Sequence, residues 1–443
     1  MDVGGTRLLL RSIRIDNYRS CKSAVFTLND KVSALIGING AGKTNILSAL
    51  RLLSTHSARR ARIVSDAPGA QTAEIAPKSP TKITAWFSLG AQKIGLRLRL
   101  RLSNASGAQD DIVVIKEEWN LSKLGDLALS KTTWVVLHPI VWDLVDYGRL
   151  KELGHRYTNL STRREIRFAG WRTHAHELPN AEIIKAVVDS DIAVPAIVQV
   201  NTYRAGITYY SASQFTDPTR CPTNFELDSS KELELGYRGP QPHLRFLYDL
   251  YSLKRNQSDQ YDEYVQFVGP HHLGLISRLS WKEVKLSSHT VDVKSGGKFK
   301  KQKRFKTLLI PTIKVGHSLV SFNQMSEGTF RTLAMIFYVM TNTSDCLLIE
   351  EPEVCVHHGL LTKIVDTIKT YSIAKQIVLS SHSDVVIDRL EPTNVFVVEN
   401  GPAGTRVSNL LSWAGKEGRS ALRNYLREAG SLGEYWKTGG LSV

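Results

Sequence analysis

The segment Gly37-Ile38-Asn39-Gly40-Ala41-Gly42-Lys43-Thr44 is a complete phosphate-binding loop of the form G-x-x-x-x-G-K-T. Such a loop constrains the fold around it, because it must join the end of a strand to the start of a helix. The flanks agree: Lys31 to Ile36 is a short apolar segment, and Thr44 to Leu53 carries Ile46, Leu47, Leu50 and Leu53 at helical spacing. Glycines 37, 40 and 42 let successive backbone N–H groups turn onto phosphate oxygens, and the helix N-terminus adds its partial positive charge. Lys43 is expected to reach the β and γ phosphates and Thr44 to hold Mg²⁺ through its hydroxyl. Asn39, Gly40, Gly42, Lys43, Thr44 and Asn45 are thus expected nucleotide contacts, with ATP and Mg²⁺ as cofactors.

A chain of 443 residues, 42% of them hydrophobic, has enough apolar matter for two or three domains with a sizeable core. Its most apolar windows, such as Leu333 to Met340, are far shorter than the roughly 18–20 residues that span a bilayer. Leu8-Leu9-Leu10 is hemmed in by Arg7 and Arg11, too short a run for a secretory signal. A cytoplasmic protein with no membrane association is expected. The four cysteines, Cys21, Cys221, Cys346 and Cys355, form no CxxC pair and read as ordinary reduced thiols. The net charge of +15 favours polyanionic partners, either nucleic acid or an acidic protein.

Leu8 to Leu28 reads as two strands around Asn17-Tyr18-Arg19-Ser20. Ile83–Leu89, Lys93–Leu102 and Ile112–Leu121 then read as a β meander. Residues 124–200 mix helical and irregular stretches, and Thr202 to Cys221 is aromatic and turn-rich. Pro242 to Val268 has Leu244, Leu247, Tyr248 and Tyr251 on one helical face, and Leu275 to Phe322 returns to a β pattern broken by a charged tip. The expected fold is α/β: residues 1–121 and 310–443 form one nucleotide-binding domain, and residues 122–309 form a mainly helical insert.

Three further clusters fit the loop. Asp345 to Glu353 is an apolar strand ending in adjacent carboxylates. In an open α/β sheet, ligands sit beyond the carboxyl ends of the strands. Alternating strand directions allow Glu350 to face the metal and Glu351 to face the water that attacks the γ phosphate. Gln376 to Ser380 is a second buried strand, followed by His382, which is placed to orient that water. Ser326 and Gly328 precede an apolar helix, Thr329 to Val339, and such a helix end binds phosphate.

The order of phosphate loop, Ser326-Glu327-Gly328, Leu347 to Glu351 and His382 resembles the ABC-type ATPase heads of the RecF, SMC and OLD-like group, built from a β-meander lobe and a RecA-like core. Asn17 to Ser20 is similar to an N-terminal element of RecF-like heads, in which the arginine, here Arg19, lies near the nucleotide. Glu350-Glu351-Pro352-Glu353 and Ser381-His382-Ser383-Asp384 resemble the OLD-like branch. Two features depart from the pattern: Glu350 stands where most such heads carry aspartate, and Ser326 to Phe330 is a loose signature. Gln71 and Gln92 are candidates for the Q-loop glutamine. The resemblance implies a head-to-head dimer or higher oligomer, with Ser326 and Gly328 of one copy completing the ATP site of the other. OLD nucleases continue after the histidine into a TOPRIM domain, whereas 60 residues follow Ser383 here, so no intrinsic nuclease is expected. This architecture is similar to the stand-alone ATPase subunits of bacterial anti-phage systems such as AriA of PARIS and PtuA of Septu. It implies a sensor or scaffold that controls a separately encoded effector in response to a phage trigger. The alternative is a RecF-like ATPase of DNA repair.

Two basic stretches bear on partners. Leu96 to Leu102 alternates leucine with Arg97, Arg99 and Arg101, which places the arginines about 6–7 Å apart on one strand face. That spacing is close to successive phosphates, but a solvated face over inward leucines explains the same pattern and is the preferred reading. Lys294 to Lys306 holds seven basic residues with Phe299 and Phe305. It reads either as a tip that touches nucleic acid or as a solubilising one.

Overall fold

A computed structural model of the chain describes residues 7–54, 80–103, 111–121, 134–136, 165–168, 171–174, 193–227, 241–293, 299–428 and 430–437. The elements begin with β1 (Leu8–Tyr18), β2 (Cys21–Thr27), β3 (Val32–Ile36), α1 (Lys43–Ser54), β4 (Thr81–Leu89), β5 (Gln92–Ser103), β6 (Asp111–Asn120) and β7 (Val135–Val136). Next come β8 (Glu165–Phe168), β9 (Trp171–His174), α2 (Ala193–Gly206), β10 (Thr208–Ser211), β11 (Phe225–Leu227), α3 (Pro242–Asn256), α4 (Ser258–Val268), β12 (Arg278–Val293) and β13 (Phe299–Val315). The last part contains β14 (Ser318–Val320), α5 (Glu327–Thr341), β15 (Cys346–Glu350), α6 (His358–Tyr371), β16 (Gln376–Ser381), α7 (Asp384–Asp388), β17 (Val395–Gly401) and β18 (Gly404–Asn409). Three helices close the described chain, α8 (Leu410–Trp413), α9 (Gly415–Glu428) and α10 (Leu432–Lys437).

The chain divides into two compact units. The first comprises Met1–Tyr209, Thr343–Leu348 and Ser372–Val443; the second comprises Tyr210–Asn342 and Ile349–Tyr371. In the first unit the expected meander is an antiparallel sheet of order β2-β1-β4-β5-β6-β7. Its two-residue repeat sends Leu96, Leu98 and Leu100 fully inward. A second sheet has the order β10-β15-β16-β3-β17-β18, and the unit boundary falls within β10 and β15. There β3 is parallel to both β16 and β17. Every residue of β3 and β16 is buried, as expected of parallel strands covered on both faces. The amphipathic α1 buries Ile46, Leu47, Ala49, Leu50 and Leu53. The expected α/β class with a meander lobe and a phosphate loop between β3 and α1 is therefore what the chain forms.

One polar side chain ties the two sheets of this unit together. Gln376, the first residue of β16, accepts hydrogen bonds from Leu10 N (2.8 Å) and the Tyr203 hydroxyl (2.7 Å). Its amide donates to the carbonyls of Leu10 (3.0 Å) and Asn29 (2.9 Å). All four capacities of the amide are used, and Gln376 is only 1% exposed. Gln376→Leu leaves several buried polar groups unpaired and should cost about 2–4 kcal/mol. A lowered urea midpoint checks this, and an unchanged midpoint refutes it.

In the second unit β13 pairs with β11, β12 and β14, and the β12–β13 register runs unbroken from Arg278↔Lys314 to Val293↔Phe299. The helical stretch expected over Pro242 to Val268 is two helices that part at Gln257, while Leu247, Tyr248 and Tyr251 are buried as expected. Phe246 meets Phe322, Phe330 and Phe337 edge-on, at ring separations of 5.8, 5.7 and 5.4 Å. The aromatic stretch before Cys221 joins this core: Tyr210 stacks on Phe215, and its hydroxyl donates to the Arg331 carbonyl at 2.8 Å. Among the described residues the four cysteines are unbridged, and no helix is long and apolar enough to cross a membrane.

Candidate nucleotide site

The loop leaves the sheet between two parallel neighbours, which explains the placement of its glycines. A Cβ on Gly37 would lie 2.4 Å from the Val398 carbonyl oxygen of β17, so no side chain fits there. Gly42 has φ +105°, and a Cβ would lie 2.4 Å from the Thr405 hydroxyl and 3.0 Å from that of Ser20. On the open side Ile38, Asn39 and Gly40 are exposed. Lys43 opens α1 and is 6% exposed, and its ammonium donates to the carbonyls of Gly37 (2.7 Å) and Ile38 (3.1 Å). A cationic group is therefore held inside a loop of small residues at a helix N-terminus, which is the donor set that a triphosphate requires. Thr44 follows Lys43 and is exposed.

Tight turns bring the N-terminal element to this loop. Asn17 and Arg19 adopt left-handed φ values of 57° and 49°, and reverse the chain between β1 and β2. Arg19 donates to Asn45 Oδ1 at 3.5 Å and lies 5.2 Å from the Tyr18 ring centroid. Asn45 in turn donates to the Ser20 hydroxyl at 2.6 Å, and Ser20 is 2.7 Å from the Thr405 hydroxyl. The Thr405 N–H also donates to the Ser20 carbonyl at 2.9 Å. Beneath this network, burial raises the Cys21 thiol pKa, with hydrogen bonds to Thr405 and Ser20 acting in the opposite sense. Arg19 and Asn45, both candidate nucleotide contacts, are thus brought together. Ser20, Thr405 and Val398 are additions: β18 lies some 360 residues along the chain, and no local pattern marks its threonine.

His382 is fixed by strand register. β16 runs parallel to β3 with Ser381 opposite Ile36. His382 and Gly37 therefore leave neighbouring strands side by side, at a strand spacing of about 4.8 Å.

The remaining candidates belong to the second unit. Ser326 caps α5, its hydroxyl accepting from Thr329 N at 3.3 Å. A Cβ on Gly328 would lie 2.4 Å from the Cys355 carbonyl oxygen, so close packing alone already requires glycine there. Arg331 braces the same turn, its guanidinium bonding the Glu327 carboxylate and lying 3.3 Å from Cys355 Sγ. Glu350 ends β15, and Glu351 follows with a left-handed φ of 49°. Such a conformation is uncommon outside glycine and redirects the chain sharply at that carboxylate. In this unit, then, Gly328 lies against the turn that Glu351 opens.

One alternative and one candidate among the other residues are ruled out. Arg97 and Arg99 are not a free phosphate-binding row: both lie within 3.7 Å of the Glu118 carboxylate, and Arg97 stacks 3.7 Å from the Trp134 ring centroid. The cross-strand partner β6 supplies this acid, which a single-strand pattern does not reveal. Gln92 is no Q-loop glutamine, because it pairs with Leu89, which pairs with Leu8. That is the end of β1 remote from Arg19, about 33 Å away along the strand. Gln71 and residues 294–298 lie outside the described residues, as do the side chains of 299–305.

Comparison with known proteins finds two family matches and several similar solved structures. Residues 9–177 match a family model described as "AAA ATPase domain". Residues 280–388 match one described as "AAA domain, putative AbiEii toxin, Type IV TA system". An SMC head bound to the C-winged-helix domain of ScpA is 14% identical, with a TM-score of 0.44 over 90% of this chain and 96% of that one. An Smc head with an extended coiled coil from Pyrococcus furiosus is 13% identical, with a TM-score of 0.41 over 95% and 100%. The SMC head domain of Thermotoga maritima is 10% identical, with a TM-score of 0.38 over 90% and 98%. The first family match contains Arg19 and the whole phosphate loop, and the second contains Ser326, Gly328, Glu350, Glu351 and His382. Matches to AAA family models thus lie on both sides of the chain's middle.

Proposed function

We propose that the chain is an ATP-binding and ATP-hydrolysing subunit of the ABC type, whose nucleotide state controls a separately encoded effector in bacterial anti-phage defence. The observation that carries the nucleotide part is the Lys43 ammonium inside the glycine loop, with His382 leaving the adjacent parallel strand. The control part is supported by the OLD-like sequence motifs and by the toxin–antitoxin description of the family matched over residues 280–388. In this reading Glu351 is the general base, and His382 orients the attacking water. Thr44 and Glu350 would be the protein residues that hold Mg²⁺, which when bound would supply charge neutralisation at the phosphates. Ser326 and Gly328 serve the phosphate bound by a second copy.

The shared site is tested by Ser326→Arg. ATP affinity should stay within about twofold of wild type while hydrolysis falls about tenfold or more, because the loop is untouched and the donated phosphate contact is lost. Unchanged hydrolysis would sink the two-copy arrangement. Effector control is tested by co-expressing the chain with the product of the adjacent reading frame. The two should co-purify without ATP and separate on ATP turnover; no complex under either condition overturns this part.

A further inference from the structure

Ser380 is buried in β16 at 1% exposure, and among the described residues its hydroxyl has no hydrogen-bond partner. Its neighbours differ: Ser381 Oγ accepts from Ser383 N at 3.0 Å, and Gln376 uses every polar atom of its amide. A buried hydroxyl left unpaired is costly, and native structures keep few of them. The position of this one suggests what its partner is.

In the parallel register Ser380 stands opposite Leu35, and residues paired in this way share a face of the sheet. Leu35, and Val378 two residues before Ser380, both belong to the core that includes Ile46, Leu47 and Leu50 of α1. The Ser380 side chain is therefore on the α1 face of the sheet. It is also one residue from the strand's end: Ile36 follows Leu35 and hands over directly to Gly37. On that face α1 begins with Lys43, whose ammonium bonds the Gly37 and Ile38 carbonyls. The unpaired hydroxyl lies beneath the phosphate loop, on the side from which the helix and its first residues Lys43 and Thr44 project.

We propose that Ser380 is a nucleotide-binding residue whose hydroxyl makes its missing hydrogen bond to the water shell of a divalent cation held at the β and γ phosphates. This rests on the reading of the loop as an ATP site. Ser380 then distinguishes cation-loaded ATP from the free nucleotide, a role separate from that of His382 two residues later.

The test compares wild type, Ser380→Ala and Ser380→Thr by calorimetric titration with ATP, once with Mg²⁺ and once in EDTA, alongside thermal melting of the nucleotide-free proteins. Ser380→Ala should weaken Mg²⁺–ATP binding about fivefold or more, leave the affinity for ATP in EDTA within about twofold, and melt no lower than wild type. Ser380→Thr should keep the wild-type ratio of the two affinities. Equal Mg²⁺–ATP affinity in Ser380→Ala and wild type overturns the proposal. A parallel loss of both affinities with a lower melting temperature also overturns it, since that is the signature of a merely structural serine. Failure of the wild type itself to bind ATP removes the ATP site, and with it the reading on which the proposal rests.

Discussion

Lys43→Ala should lower ATP affinity at least about a hundredfold, the largest loss of binding expected of any single substitution in the chain. Lys43 is 6% exposed and its ammonium is already positioned by two loop carbonyls, so little side-chain freedom remains to be lost when a phosphate arrives. Charge-assisted hydrogen bonds to phosphate are about twice as strong as neutral ones, and here they form in a partly desolvated loop. Alanine is the best helix former, so α1 should persist and the loss should be confined to binding. Calorimetric titration against wild type measures it, with circular dichroism as the control for folding. A dissociation constant within threefold of wild type would mean that the loop does not bind the triphosphate as proposed.

Glu351→Gln should retain ATP binding and lose at least about a hundredfold in turnover, the usual range for removing a general base. Glutamine matches glutamate in shape, so it adopts the left-handed backbone at this position at similar cost. The substitution removes only the charge and the proton-accepting oxygen. A variant that holds ATP without consuming it should also accumulate the nucleotide-joined form of two copies, seen as a larger species in size-exclusion chromatography when ATP is present. Turnover within threefold of wild type would reassign the base and leave Glu351 as a turn residue.

Much of this architecture was legible in the sequence because it is encoded by short periods. The buried run of β3, the 3.6-residue spacing in α1, and the alternation of Leu96, Leu98 and Leu100 each specify a local conformation and a face to bury. The β1–β2 turn and the meander appear where those patterns put them, while the helix read from Thr329 begins two residues earlier, with Ser326 as its N-cap. The long helix read over Pro242 to Val268 fails at Gln257, since an apolar period continuing across a break does not reveal the break. Arg97 and Arg99 were ambiguous for a different reason. A row of cations on one strand has the same pattern whether it faces phosphate or a buried Glu118 on the next strand.

By itself, then, the sequence determined the phosphate loop, the strand and helix beside it, and the residue types able to do phosphate chemistry, because each of these depends on neighbours a few positions away. Only the tertiary structure decided which distant groups close around the loop. Thr405 and Ser20 press on Gly42, the Val398 carbonyl fills the space beside Gly37, and the register of β16 sets His382 level with the loop. That same register places the Ser380 hydroxyl beneath the loop, buried and, among the described residues, unpaired. Such partners are chosen by strand order and register, which arise from burying apolar surface shared by the whole sheet and leave no trace in the local spacing of residues.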